Sequence, residues 1–197
     1  GARPLTGPEA ESAEGGKPVQ RIPAKVRQKA KKIKLLLLDV DGVLTDGGIV
    51  MNDRGEEIKR FDVRDGHGIR LLVRAGIQIG LITGRTSKVL SHRARDLGIR
   101  MVYQRAYDKL DIYNKIKRKN GFKDHEIAYV GDDIVDLPIL SKVGLALTVR
   151  DCWAELKREV DYVARGKGGR GAVREIIELI LKAQGKWQGL TRRYYRN

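Results

Sequence analysis

From Ile33 onward, short apolar runs alternate with stretches in which apolar residues recur at helical spacing. Residues 33–40 read as a buried strand ending in acidic residues, and 78–82 as a second strand ending at Thr83-Gly84-Arg85. Residues 101–103 form a short third, 127–130 a fourth ending at Gly131-Asp132-Asp133, and 145–149 a fifth. Between them the pattern predicts helices over 68–75, 87–97, 109–119, 135–143 and 152–160. A last helix over 171–183 carries Val173, Ile176, Ile177 and Ile180 at core spacing. Strand–helix alternation of this kind predicts an α/β fold: a Rossmann-like parallel sheet with helices on both faces. Ligands in such sheets sit beyond the carboxyl ends of the strands, where Asp39, Thr83 and Asp132 all fall.

One insertion breaks the alternation. Residues 49–51 and 57–62, joined by Asn52-Asp53-Arg54-Gly55, have the turn chemistry of a β-hairpin, placed directly after the first strand. The spacing leaves no room for a cap domain. Residues 1–31 hold four of the five prolines and no hydrophobic period in their first half, so they are expected to form a flexible basic extension. The domain is then expected over 32–183, with a basic tail over 184–197.

Charge changes this picture little. The formal net charge is +15, but nine Lys/Arg against three acids lie in residues 1–34, and five basics with no acid lie in 182–197. The body of the domain is nearly balanced, so a nucleic-acid partner is not expected and the basic ends read as docking or solubilising extensions. No unbroken apolar run exceeds four residues, far short of the ~20 that span a bilayer. Pro, Glu and Gly stand near the start, where an export signal would need an apolar stretch. A lone cysteine, Cys152, permits no intrachain disulfide and suits a reducing cytoplasm.

The chemistry lies in carboxylates at strand ends. Asp39 and Asp41 stand two apart after an apolar strand and before Gly42, and Asp132 and Asp133 end another strand in the same way. Charged groups there are costly unless a cation or substrate uses them, and converging carboxylates suit a hard divalent cation. The competing interpretation is that such aspartates cap helices. His67, His92 and His125 are scattered without metal-ligand spacing and read as surface or hydrogen-bonded structural residues. Gly168-Gly169-Arg170-Gly171 lacks the Lys-Ser/Thr of a P-loop and reads as a packing turn. Cys152 and Trp153 are expected at a helix start in the core, and Trp187, Tyr194 and Tyr195 as tail aromatics able to pack on another subunit.

With these motifs in hand, the chain resembles the haloacid dehalogenase superfamily. All four of its motifs occur in order: Asp39-Val40-Asp41-Gly42, Thr83-Gly84-Arg85, Lys109, and Gly131-Asp132-Asp133-Ile134-Val135-Asp136. Val63-Arg64-Asp65-Gly66, Asp136-Leu137-Pro138 and the block from Gly168 to Glu175 are similar to the capless subgroup that acts on 3-deoxy-D-manno-octulosonate 8-phosphate.

The resemblance implies a Mg²⁺-dependent phosphomonoester hydrolase of a sugar-acid phosphate that works as a homotetramer. Asp39 would be the nucleophile and Asp41 the acid and base. Mg²⁺ would be held by Asp39, the Asp41 main-chain carbonyl and Asp132. Thr83, Gly84 and Lys109 would bind the phosphoryl group and Arg85 the substrate, while Arg64 and Asp65 would contact substrate or a neighbouring subunit. Asp133 and Asp136 would support the site, and the tail would act as a mobile cover. Two alternatives stand beside this: a nonulosonate 9-phosphate as substrate, or a non-catalytic domain that binds polyanions. Arg105 stands where the family more usually has glycine, so the loop after the third strand is expected to differ in shape.

Overall fold

A computed structural model describes residues 22–195 of the chain. In order, the elements are α1 (Ala24–Ala30), β1 (Leu35–Leu38), β2 (Val50–Met51), β3 (Glu57–Ile58), α2 (Val63–Arg74), β4 (Gln78–Ile82), α3 (Lys88–Leu97) and β5 (Met101–Tyr103). They continue with α4 (Lys109–Asn120), β6 (Ile127–Gly131), α5 (Leu137–Leu140), β7 (Leu145–Thr148), β8 (Tyr162–Val163), α6 (Ala172–Ala183) and α7 (Trp187–Thr191).

The six-stranded sheet has the order β5-β4-β1-β6-β7-β8 and is parallel throughout. Its centre is β1, paired with β4 and β6, and its four leucines are fully buried because both faces of the sheet are covered. From β1 the chain winds outward through β4 and β5, then returns to β6 and winds the other way. The switch point between β1 and β6 therefore opens at their carboxyl ends, where Asp39 and Asp132 follow.

The five strands and the hairpin lie where the hydrophobic pattern puts them, the hairpin strands pairing antiparallel with Val50 opposite Ile58. The edge strand β8 is additional; two residues are too short to show a period. Helix α2 starts five residues before the predicted 68–75. Its Gly66 and Gly68 cost helix propensity and mask the true start, but the Asp62 side chain caps it by accepting from the Arg64 and Asp65 amides. The predicted helices over 135–143 and 152–160 are shorter than expected. The first is a 3₁₀ turn followed by the four-residue α5, and the second a 3₁₀ helix over Ala154–Arg158. Pro138 removes an amide from the first, and no apolar face of sufficient length supports the second. Cys152 is buried as expected.

The expected boundaries move at both ends. Residues 1–21 lie outside the described residues, but α1 belongs to the domain: Val26 and Ala30 are buried in the core, and Gln184 Nε2 donates to the Ala30 and Ile33 carbonyls. The tail folds onto its own chain rather than standing free. Trp187 lies under the Arg174 and Lys182 cations, and Tyr194 stacks edge-on against His67, with 3.2 Å between its hydroxyl and His67 Nε2.

Asp65 ties α2 to α6. It is buried, and its carboxylate accepts from the Arg174 amide at 2.7 Å and the Gly171 amide at 3.2 Å, the open start of α6. Burial pushes its pKa up to about 6, with these two amides pulling the other way. Its side chain therefore serves the fold and does not face the pocket described below. Asp65→Ala is expected to destabilise the protein by about 1–3 kcal/mol, because it leaves two partly buried amides without an acceptor; urea unfolding measures it.

Candidate active site

A cavity of about 320 Å³ opens at the carboxyl ends of β1, β4 and β6. Its walls include Asp39, Asp41, Thr83, Gly84, Arg85, Lys109, Asp132 and Asp133, together with Tyr107 and Val135. Sequence-predicted residues far apart in the chain thus share one pocket.

Asp39 is the buried centre. Its Oδ1 accepts from the Val40 amide at 2.7 Å, and its Oδ2 lies 2.9 Å from Lys109 Nζ. Lys109, the first residue of α4, also donates to Asp136 Oδ1 at 2.7 Å. Burial opposes the lysine's charge, but Asp39 and Asp136 more than offset it and hold its pKa above the usual lysine value. Asp136 is fully buried and fully used. Oδ1 also takes the Tyr129 hydroxyl at 2.6 Å, while Oδ2 takes the Asp132 and Asp133 amides at 2.9 and 3.2 Å. It fixes both Lys109 and the turn that carries Asp132.

Asp39, Asp132 and Asp136 each place a carboxylate oxygen within 4.8 Å of the others. With Asp136 saturated, Asp39 and Asp132 remain to ligate, and among the described residues no hydrogen bond reaches the Asp132 carboxylate. Burial and the neighbouring Asp39 and Asp136 push the Asp132 pKa up to about 8; burial, then Asp136, raises that of Asp39 against the pull of Lys109. An all-oxygen donor set with uncompensated negative charge fits a hard divalent cation.

Glycine makes this approach possible. A Cβ on Gly42, whose φ is +92°, would run into the Asp132 carboxylate, and one on Gly168 would run into the Gly42 carbonyl. The Gly168–Gly171 segment is thus a packing turn seated on the Asp39–Thr45 loop, with the Gly169 amide donating to the Val43 carbonyl at 2.9 Å.

Thr83 caps no helix; α3 is capped by Ser87 instead. Its buried Oγ1 accepts from the Arg85 amide at 3.1 Å and donates to Asp41 Oδ2 at 3.4 Å. Arg85 lines the pocket, but its guanidinium is engaged by Glu57 Oε1 at 2.8 Å. Asp133 lines the pocket and accepts from the Ile134 amide at 2.8 Å. Arg64 is not brought in: its guanidinium lies on the surface against Asp62 and the Arg170 carbonyl, because Asp62 holds it at the start of α2. No described residue of the tail lines the cavity. Arg105 adopts the left-handed φ of 56°, the conformation that glycine takes without strain, at a cost of ~1 kcal/mol. The loop therefore holds a turn suited to glycine, with the Ala106 amide on the Thr83 carbonyl at 3.0 Å and Arg105 Nε on Thr86 Oγ1 at 3.1 Å.

Sequence reasoning placed the hairpin beside the site but overlooked its Glu57 and Lys59 side chains. Lys59 Nζ is paired with Asp41 Oδ1 and lies 3.1 Å from Glu57 Oε1. Residues 57 and 59 stand two apart on a strand, hence on one face. That period was the available signal.

No family model matches the chain. Over 166 residues it is 48% identical to the 3-deoxy-D-manno-octulosonate 8-phosphate phosphatase KdsC of Yersinia pestis, covering 84% of this chain and 89% of that one. The chain belongs to this phosphatase family. A crystal structure of the Yersinia pestis phosphatase superposes with a TM-score of 0.83 at 47% identity, covering 84% of this chain and 90% of that one. The family's enzyme from Moraxella catarrhalis, solved with magnesium, phosphate and the free sugar acid bound, superposes with a TM-score of 0.85 at 40% identity, over 87% of this chain and 98% of that one. Membership in this phosphatase family and the α/β fold agree with the carboxylate cluster at the switch point.

The raised carboxylate pKa values carry a sign. Asp132 ionises near 3.8 when unfolded and at about 8 when folded, so the unfolded chain sheds its proton first and stability falls as pH rises through that window. A divalent cation binds the ionised carboxylates and offsets the loss. The increase in melting temperature on adding millimolar Mg²⁺ is therefore expected to grow from pH 5 to pH 8, and to shrink in Asp132→Asn. An increment independent of pH in thermal melts would contradict this.

Proposed function

We propose that this chain hydrolyses 3-deoxy-D-manno-octulosonate 8-phosphate to the free sugar acid and inorganic phosphate through an aspartyl-phosphate. The observation that carries the reading is Asp39, buried at the sheet's switch point, pinned by Lys109 and facing an Asp132 carboxylate that takes no hydrogen bond among the described residues. The names and bound ligands of the relatives support the substrate.

Asp39 attacks phosphorus as the ester P–O bond breaks, and Asp41 gives its proton to the departing sugar oxygen. Asp41 then takes a proton from the water that attacks the same phosphorus, which releases phosphate and restores the Asp39 carboxylate. The Thr83 hydroxyl, the Gly84 amide and Lys109 bind the phosphoryl oxygens, and Arg85 is placed to meet the sugar acid's carboxylate. Asp39, Asp132 and the main-chain carbonyl of Asp41 would hold Mg²⁺, which when bound neutralises charge between an anionic nucleophile and an anionic phosphate. Asp136 and Asp133 support this set from behind.

Asp39→Asn is expected to lower kcat by at least ~10³-fold while leaving a cooperative melt. Across a panel of sugar-acid and neutral sugar phosphates assayed by phosphate release with Mg²⁺, the octulosonate 8-phosphate is expected to have the highest kcat/KM. A nonulosonate 9-phosphate ranking above it would overturn the substrate assignment.

Assembly forms part of the proposal. Ile49, Val50, Met51, Ile58 and Val63 put an exposed apolar surface on and beside the hairpin, the kind of patch that marks a contact between subunits. A homotetramer would also offer Arg64 a neighbour's pocket to reach into. Light scattering of wild type against Val50→Glu tests this: the variant is expected to fall to a smaller species, and an unchanged mass would remove the hairpin from the interface. The lone Cys152 agrees with a cytoplasmic setting, and no helix among the described residues is long and apolar enough to cross a membrane.

A further inference from the structure

Lys59 is a charged side chain that the mechanism above leaves idle. Its side chain is only 3% exposed, and it reaches from the strand end after β3 to Asp41 Oδ1. Glu57 Oε1 flanks it at 3.1 Å and is itself gripped by Arg85 at 2.8 Å. The result is a row of alternating charge, Asp41–Lys59–Glu57–Arg85, whose two ends line the pocket. The Asp41 carboxyl has little else to orient it: Oδ2 meets only the Thr83 hydroxyl, at a long 3.4 Å.

We propose that Lys59 is a positioning residue for Asp41. Its ammonium occupies Oδ1, which leaves Oδ2 as the oxygen that carries the proton toward the pocket. Glu57 and Arg85 keep the lysine in place. During attack on the phosphate ester, the P–O bond to the sugar breaks and the proton passes from Asp41 Oδ2 to the ester oxygen. Without Lys59 the carboxyl rotates freely and meets that oxygen less often. The inference rests on the reading of Asp41 as the proton donor. It differs from the simpler view that Lys59 merely pins the hairpin to the domain, because only the positioning role depends on the leaving group.

The test is single-turnover phosphate release by the full-length protein with Mg²⁺ on two substrates. The octulosonate 8-phosphate has an alkoxide leaving group that needs a proton, and para-nitrophenyl phosphate has one that leaves without it. Lys59→Met is expected to slow the sugar ester by at least ~10-fold and to lower the sugar-to-aryl rate ratio by about fivefold or more. Lys59→Arg should restore part of that ratio. In an Asp41→Asn background the Lys59→Met change should cost less than about twofold further, since the two act as one unit.

Equal losses on both substrates, or additive losses in the double variant, would show that Lys59 only braces the hairpin and would overturn the proposal. If Asp41→Asn itself leaves the sugar-to-aryl ratio unchanged, the donor assignment of Asp41 fails and the positioning role with it. That outcome is separable from a wrong substrate, which the panel of sugar phosphates detects independently.

Discussion

The structure turns on three carboxylates held closer together than their charges allow, with one lysine between them. Asp39, Asp132 and Asp136 converge within 4.8 Å in a largely buried setting, and Lys109 bridges Asp39 and Asp136. Like charges in such surroundings repel strongly, and burial penalises each ionised form. The fold tolerates the arrangement by satisfying Asp136 completely, through a lysine, a tyrosine hydroxyl and two amides. It leaves the imbalance at Asp39 and Asp132, on the wall of the cavity. An anionic phosphate cannot enter such a pocket unaided, so the same imbalance that costs the fold stability sets the demand for a cation.

The surrounding backbone follows from that constraint. Asp132 reaches Asp39 only because Gly42 has no side chain, and the loop bearing Gly42 is braced by a glycine turn more than a hundred residues later. Asp65 ties the start of α6, which follows that turn, to α2, and so links the brace to the helix that follows the hairpin. Asp65, a buried carboxylate away from the pocket, thus helps to place Asp39 and Asp132. Phosphate chemistry and α-helix capping draw on the same property, an ionised carboxylate accepting well-aimed donors.

Much of this was legible in the sequence because parallel strands leave a strong mark. Fully apolar runs such as Leu35–Leu38 can be read without ambiguity once carboxylates follow them, and Asp39, Asp41, Thr83, Lys109 and Asp132 were all recoverable from their places after strands or before a helix. The missed features share a different cause. Strand β8 and the packing of α1 depend on tertiary partners that overrule local preference, while Gly66 and Gly68 hid the early, Asp62-capped start of α2. Arg64 was misplaced relative to its own chain's pocket because a motif fixes a residue's place in the chain, not the direction of its side chain. Lys59 and Glu57 escaped notice for the opposite reason: an acid and a base on a short exposed strand look like ordinary surface charge until the strand is folded over a cavity.

That hairpin has two faces with different fates. Alternation through β3 and the residue after it points Glu57 and Lys59 inward to the charged row and leaves Ile58, 56% exposed and paired with Val50, facing outward. A capless phosphatase lacks the separate domain that would otherwise close over its substrate and hold polar groups against it. Here Glu57 and Lys59 set charged groups against Arg85 and Asp41 of the pocket wall, yet a two-stranded ribbon standing alone is marginal in water. Inward, the ion pairs of Lys59 with Asp41 and of Glu57 with Arg85 hold it to the domain; outward, a partner's surface would add to its rigidity. Burial of Val50, Met51 and Ile58 would then stiffen the strand that carries Lys59, so that the order of the catalytic wall and the covering of an apolar surface become one and the same physical event.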